Sequence, residues 1–227
     1  METHNPSNSD GAPYCPGRFV LSKERPVPGQ FSPELFAAER AAADGDSSAQ
    51  LRLGKAYHRG DGVIRNLPEA LRWYMRAAEN QNPDAAYLLA KMYLEGTGVE
   101  KDNATAIKWF RMAASQKHPG AMNALGNIYA LGKGAPKDLR MAATWFELAA
   151  QCGHSNAQLV FALMLRDGRG VTTDRETARF WLAKAVKNLK DDEKKKIALT
   201  VLGELTEGEE APKKLARPSP ASGSNAA

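Results

Sequence analysis

Apolar residues follow the spacing of α-helices along most of the chain, and one pair of helical patterns occurs four times. Residues 82–117 show the pair clearly. Two sets of apolar residues each share one helical face: Ala85, Leu89, Met92 and Tyr93 in the first, and Ala106, Trp109, Phe110 and Ala113 in the second. Each copy therefore predicts two helices joined by a short loop.

Capping residues predict where these helices begin and end. Asn82-Pro83-Asp84 combines a capping side chain, a proline for the first helical position and an acid for the first turn. A glycine-containing loop, residues 96–99, follows the first pattern, and glycine readily adopts the left-handed conformation that ends a helix. Asp102 is the expected N-cap of the second helix.

The pattern repeats every 36 residues. The four tryptophans of the chain have this spacing, and so do two series of loop glycines. These structural positions are Trp73, Trp109, Trp145 and Trp181; Gly60, Gly96, Gly132 and Gly168; Gly62, Gly98, Gly134 and Gly170. A period between about 20 and 50 residues indicates a solenoid, propeller or array. With two helices in each period, the prediction is an all-α solenoid of helix–turn–helix repeats.

Small residues recur inside the first helix of each copy, at Gly54, Ala90, Gly126 and Ala162. Since a glycine inside a helix costs about 1 kcal/mol relative to alanine, its recurrence predicts a close approach of another element. We expect the indole of each tryptophan to fill the space that these residues leave. Packing of the indoles is favoured over a ligand cage because each lies on an apolar helical face.

The repeats divide the chain into a central domain, residues 31–206, and two flanks. The domain is predicted to contain an N-terminal half-repeat (31–45), four repeats (46–81, 82–117, 118–153 and 154–189) and a C-terminal capping helix (190–206). The capping helix carries an apolar stripe of Ile197, Val201, Leu202 and Leu205. Residues 1–30 and 207–227 are rich in Pro, Gly, Ser or Ala and are expected to be disordered or extended.

The consensus A-x3-L-[GA]-x2-[YL]-x2-G-x-G-[VA]-x2-[NDT]-x3-A-x2-W-[FYL]-x2-A-A resembles the Sel-one-like repeat family, a branch of the tetratricopeptide-like α-solenoids. An ordinary tetratricopeptide repeat has 34 residues, whereas this one has 36. The resemblance implies a right-handed superhelix. It also implies an adaptor or scaffold that binds other proteins and is not an enzyme.

Composition gives a compartment and excludes some classes of protein. No apolar run is long enough for a transmembrane helix and no secretory signal opens the chain. The two cysteines, Cys15 and Cys152, lie far apart, and no repeat holds the cysteine pair that some Sel-one-like proteins carry. Both observations favour the cytoplasm. The net charge of +5 is mild for 227 residues and does not indicate a nucleic-acid binder.

Residues for catalysis, metal binding or cofactor binding do not form a recognisable constellation. His118 and His154 occupy equivalent repeat positions, so packed helices should hold them too far apart for one zinc ion. The Gly-x-Gly loops follow helices rather than strands, which indicates turns and not phosphate sites. The basic segment 184–196 is interpreted as a solvated face rather than a polyanion site. We therefore predict no enzyme, no cofactor and no metal.

The first helices should line the concave surface of the solenoid, where binding occurs in such folds. One stripe along them supplies the candidate site: Leu51, Lys55, His58, Tyr87, Lys91, Leu94, Asn123, Asn127, Leu159, Leu163 and Arg166. Lysine and asparagine beside Tyr87 predict an acidic segment or a C-terminal carboxylate as the ligand. The alternative is that this stripe faces solvent or a neighbouring helix and binds nothing.

Two further possibilities stay open at this stage. The chain could be an oligomeric scaffold or regulatory subunit that uses the ends of its solenoid or its N-terminal arm. The apolar segment 14–21 could dock on the first repeat or on a partner. The sequence specifies neither the partner nor the oligomeric state.

Overall fold

The computed structural model describes residues 33–207, which form ten helices and no strands. Their bounds are α1 Pro33–Ala43, α2 Ser47–Arg59, α3 Leu67–Glu79, α4 Pro83–Glu95, α5 Asn103–Ser115, α6 Pro119–Leu131, α7 Leu139–Gln151, α8 Ser155–Asp167, α9 Arg175–Asn188 and α10 Asp192–Glu207. The expectations for residues 1–32, including those for the segment 14–21, lie outside the described residues. So does the expectation for residues 208–227.

The helices pack in the order of the chain, which makes an α-solenoid. Four pairs, α2–α3, α4–α5, α6–α7 and α8–α9, correspond to the four repeats, and we call their members helix A and helix B. Contacts are most extensive within a pair and clearly less extensive between one helix B and the next helix A. Helix α1 is a helix B that precedes the first pair, and α10 is a helix A that follows the last. The all-α solenoid predicted from the sequence is confirmed.

Polar side chains cap the eight paired helices at equivalent positions. The N-caps of the A helices are Asp46, Asn82, His118 and His154, and those of the B helices are Asn66, Asp102, Asp138 and Asp174. Each side chain accepts a hydrogen bond from a backbone N–H in the first turn, which satisfies a donor that the helix itself leaves unpaired. The predicted caps Asn82 and Asp102 are confirmed.

The two loop glycines of each repeat have different functions in the structure. Gly60, Gly96, Gly132 and Gly168 end the A helices with φ of 83°, 74°, 71° and 68°. In the second, third and fourth repeats, the second glycine lies against the first residue of helix B in the preceding repeat. A Cβ on Gly98 would come within 2.5 Å of the Leu67 Cβ, and one on Gly134 would overlap Asn103. The second glycine therefore allows successive repeats to stack.

The recurring small residues accommodate a ring, but the prediction that the ring is the indole was wrong. A Cβ on Gly54 would lie 2.5 Å from Cδ1 of Tyr74, and one on Gly126 would lie 2.7 Å from Cε1 of Phe146. These rings belong to the residue after each tryptophan. Equivalent positions in the other repeats hold Phe110 and Leu182, and all four side chains are fully buried. The centre of each repeat is thus a small residue on helix A against a large one on helix B.

The tryptophans pack beside this centre to different extents. Trp109 and Trp181 are buried, whereas Trp73 and Trp145 are half-buried. Trp73 packs against a cluster that contains Ala38 and Ala42 of the preceding helix B and Ala49 and Leu53 of its own helix A. Trp181 meets Phe161 of its own repeat edge to face, with ring centroids 6.2 Å apart.

Two buried glutamines stabilise the first and last pairs. The Nε2 group of Gln50 donates to the carbonyl oxygen of Ala42 at 3.0 Å, and its Oε1 atom accepts from Asn80 at 2.9 Å. Gln158 makes the same two contacts with Ala150 and Asn188. Both side chains satisfy carbonyl groups at the end of the preceding helix B, which water cannot reach.

The last helix packs on α9 through Ala198, Val201 and Leu205, which are buried. The predicted stripe was wrong at Ile197, which is 45% exposed. The reason is register: Asp191 caps α10 one residue later than the repeat spacing predicts, and this turns Ala198 rather than Ile197 toward the core.

Candidate binding surface

The four A helices form the scaffold of the candidate surface, because all of them have the same length and register. Each has 13 residues, begins after a side-chain N-cap and ends at a left-handed glycine. Residues 36 apart in the sequence therefore occupy equivalent places on successive A helices. A stripe at i, i+4 and i+7 is thereby repeated along the solenoid.

Most side chains of the predicted stripe are partly accessible. The half-buried members are Lys55, His58, Tyr87, Lys91, Leu94, Asn123, Leu163 and Arg166, and Asn127 is exposed. Leu51 and Leu159 are only 8% and 6% exposed, so they pack in the core and offer little surface. The remaining side chains can contribute hydrogen-bond donors, positive charge and apolar area to a ligand.

Positive charge on this stripe is partly balanced by local carboxylates. Lys91 Nζ lies 3.7 Å from an oxygen of Glu95. Arg166 Nε donates to Asp167 at 2.6 Å, and Arg166 also lies 3.7 Å from Glu204 of α10. The hydrogen bond from Arg166 lowers the pKa of the Asp167 carboxyl. Lys55 has no ion-pair partner among the described residues, so it is the side chain best placed to bind an anionic group.

Tyr87, His118 and Asp84 form a polar and aromatic cluster between α4 and the start of α6. The rings of Tyr87 and His118 stack with centroids 4.6 Å apart. His118 Nε2 lies 3.2 Å from Asp84 Oδ1, while its Nδ1 atom accepts from the Ala121 N–H at 3.0 Å. The sequence pattern indicated Tyr87 but not this cluster, because the contacts of His118 with Tyr87 and Asp84 join different repeats. The spacing of Asp46, Asn82 and His118 was the only available signal, and it indicated a cap rather than a surface group.

Burial lowers the pKa of both capping histidines. For His118 burial outweighs the opposing effect of the Asp84 carboxylate, and for His154 the positive charges of His118 and Lys194 act in the same direction as burial. A neutral imidazole has one nitrogen that can accept a hydrogen bond. The lowered pKa therefore maintains the form in which Nδ1 can cap the helix.

The described part of the chain contains neither a metal-binding cluster nor a membrane-spanning helix. Within residues 33–207, no group of three or more His, Cys, Asp or Glu side chains lies close enough to hold a metal ion. No helix in that range has the length and apolar character needed to cross a membrane. The stripe itself consists of cations, amides and half-buried apolar groups.

Capped helix pairs in constant register, stacked through glycine contacts, define a helical-repeat solenoid. The Sel1 repeat model matches residues 47–82, 83–118, 119–154 and 155–188, which are four consecutive units. The chain belongs to the Sel1 repeat family. Proteins of this family are generally protein-interaction adaptors.

Solved structures include similar solenoids. A Sel1 repeat protein from Oxalobacter formigenes is 29% identical, with 76% of this chain and 69% of that chain covered and a TM-score of 0.67. The protective antigen c5321 of uropathogenic Escherichia coli, which has an SLR fold, is 30% identical over 78% of this chain and 44% of that chain, with a TM-score of 0.49. Cysteine rich protein B of Helicobacter pylori is 22% identical over 63% of this chain and 99% of that chain, with a TM-score of 0.47. None of the curated proteins matches this chain.

Proposed function

We propose that this protein is a non-enzymatic, cytoplasmic adaptor that binds an acidic segment of another protein along its A helices. The membership in a family of protein-interaction adaptors supports this function. The observation that carries it is the constant register of the A helices, which repeats one stripe of side chains four times along the solenoid. An extended peptide has a repeating backbone, so a repeating surface can contact it at several points.

The charge of the stripe favours an acidic ligand. Lys55, Lys91 and Arg166 are half-buried, and such cations form stronger hydrogen bonds with carboxylates than fully solvated ones do. Asn123 and Asn127 add amide donors on the next helix. Tyr87 supplies a flat apolar surface beside Lys91, and an aromatic ring of this kind loses little side-chain entropy on binding.

The test is a charge reversal on the A helices. The double variant Lys55→Glu/Lys91→Glu should weaken binding of the partner by about tenfold, because two attractive charges become repulsive. The partner is first obtained by affinity capture from a cell extract, and its binding segment is mapped with overlapping peptides. Affinity for the labelled peptide is then measured by fluorescence anisotropy, with an amidated peptide to detect a contribution of the terminal carboxylate.

A matched control keeps the same change in net charge on the B helices. Lys108→Glu/Lys187→Glu alters two exposed lysines of α5 and α9, and it should leave the affinity unchanged at moderate salt. Equal effects of the two double variants would show non-specific electrostatic attraction. An unchanged affinity in Lys55→Glu/Lys91→Glu would exclude the A-helix stripe as the binding surface.

A further inference from the structure

The part of the solenoid that residues 33–207 describe begins and ends with half of a repeat. In this range, α1 is a helix B with no helix A before it, and α10 is a helix A with no helix B after it. A helix pair of this kind cannot bury its apolar face alone, and terminal units usually carry a polar outer face instead. The residues exposed on the outer faces of α1 and α10 therefore show whether these helices have the composition of caps.

Each terminal helix exposes large apolar side chains beside polar ones such as Arg40 of α1 and Lys196 and Glu204 of α10. In α1, Phe36 is 59% exposed, Ala37 is exposed, and Leu35 and Ala41 are half-buried. In α10, Leu199 is 51% exposed and Ile197 is 45% exposed. Exposed apolar side chains of this size are unusual for a solvated cap.

A cavity marks the position of the missing helix at the N-terminal end. It has a volume of about 200 Å³ and lies between α1 and α2. Its lining consists of Leu35 and Ala38 of α1, Arg52, Leu53, Lys55 and Ala56 of α2, and Asp61 of the following loop, so charged groups border its apolar floor. Ala38 is equivalent to Tyr74, since 74 − 36 = 38, and Tyr74 contacts helix A of its own pair at Gly54. The cavity therefore opens where a helix A would pack on α1.

The C-terminal end of the solenoid carries a side chain whose size is complementary to this cavity. Asp191 Oδ1 accepts a hydrogen bond from the Lys194 N–H, and Asp46 Oδ1 accepts one from the Ala49 N–H in the same way. The two aspartates therefore cap equivalent positions, and residues of α10 correspond to residues of α2 with numbers lower by 191 − 46 = 145. Leu199 then corresponds to Gly54, since 199 − 145 = 54. Within each complete pair a small residue on helix A meets a large one on helix B. At the two ends the sizes are exchanged: α10 exposes Leu199, whereas α1 has the small Ala38, which is 4% exposed and lines the cavity.

The flanking sequences are poorly suited to supply the missing helices. One period before α2 are residues 11–23, which contain Pro13 and Pro16. The segment that would follow α10 in the register of α3, residues 212–224, contains Pro218 and Pro220. A proline inside a helix removes a hydrogen bond and clashes with the preceding turn, which costs about 3 kcal/mol or more. Neither segment is therefore a good candidate for a helical occupant of the end beside it.

We propose that the occupant is a second copy of this chain, with α10 of one molecule packed on α1 of the next as a fifth helix pair. Leu199 of the first molecule enters the cavity beside Ala38 of the second. The contact is head-to-tail, so it leaves one free α1 and one free α10 and permits further addition. The protein is thereby a self-assembling solenoid whose A-helix stripe continues from one copy to the next.

Analytical ultracentrifugation of the full chain tests this assembly. The wild type should show a weight-average mass that rises with concentration beyond that of a dimer. Ala37→Arg, which blocks the exposed face of α1, and Leu199→Arg, which blocks α10, should each be monomeric. Both positions are exposed and arginine favours helices, so the fold should persist, as circular dichroism can verify.

A mixture of the two variants distinguishes head-to-tail contact from other arrangements. Each variant retains one intact end, so an equimolar mixture should double its weight-average mass and stop at the dimer. Met141→Arg, an equally exposed apolar-to-arginine change on α7, should associate as the wild type does. A wild type that stays monomeric, a mixture that stays monomeric, or loss of association with only one of the two end variants would overturn the proposal.

Discussion

At the scale of single residues, four equivalent positions show that different side chains can perform one structural task. Asp46, Asn82, His118 and His154 all cap an A helix by accepting a backbone hydrogen bond. Of these side chains, the histidines lose this capacity as the pH falls below 6.5, because protonation removes the lone pair of Nδ1. It also places a positive charge at the positive end of a helix dipole.

The histidine caps should make stability depend on pH. Burial lowers the pKa of His118 and His154 in the folded state below the usual value of 6.5, so the unfolded chain binds more protons. Their contribution is fully present above pH 6.5 and is lost as the pH falls through the lowered pKa values. Loss of one cap costs about 0.5–2 kcal/mol. Urea unfolding of the wild type should therefore give a lower free energy of unfolding as the pH is reduced below 6.5.

The variant His118→Asn/His154→Asn retains both caps, as Asn82 does naturally, and should show a weaker dependence on pH. His58 remains in this variant, and burial lowers its pKa too, so some dependence should persist. The free energy of unfolding is measured across the same pH range in both proteins. Identical pH profiles would show that the caps do not titrate in this window.

At the scale of elements, each helix pair packs a small residue of helix A against a large residue of helix B. Gly126 faces Phe146, and the equivalent pairs are Ala90 with Phe110 in the second repeat and Ala162 with Leu182 in the fourth. An alanine favours a helix over glycine by about 1 kcal/mol. At Gly126 that gain is opposed by contact with the Phe146 ring, which lies 2.7 Å from the position of an added Cβ.

We expect Gly126→Ala to destabilise the protein by about 1–3 kcal/mol through this overlap. Phe146→Leu added to it should recover much of the loss, because the pair then has the composition of the fourth repeat. A double-mutant cycle measured by urea unfolding gives the coupling energy between the two positions. Additive effects would mean that the ring and the added methyl group do not compete for one space.

At the scale of the whole molecule, stability should be local, because each helix packs extensively only against its neighbours in sequence. A solenoid of this kind behaves as a row of coupled units rather than as one core. The central repeats have neighbours on both sides, whereas α10 packs only on α9 among the extensive contacts.

Truncation of a buried side chain should therefore affect more helices when the residue lies in a central repeat than when it lies at the end of the solenoid. Phe110→Ala, in a central repeat, should cost about 3–5 kcal/mol and raise amide hydrogen exchange in the helices on both sides. Leu205→Ala should raise exchange in α10 and α9 while α4 and α5 keep their protection. Mass spectrometry of exchanged peptides measures both. Uniform loss of protection in Leu205→Ala would indicate a single cooperative unit.

The sequence by itself determined the repeat, the helix pairs and their boundaries. These features depend on local physics: helical periodicity, capping at Asn82 and Asp102, and a left-handed glycine at the end of each A helix. A period of 36 residues then required the units to stack. The candidate binding stripe also came from periodicity, although its role in binding stays a prediction.

Only the tertiary structure decided which groups meet across the chain. It placed the ring after each tryptophan, rather than the indole, against Gly54 and Gly126. It buried Gln50, whose sequence pattern alone gives no sign of burial, because an unpaired carbonyl of the preceding helix needed a donor. It also brought Tyr87 to His118 of the next repeat. Such contacts depend on the rotation of one helix against another, and composition and spacing do not specify that rotation.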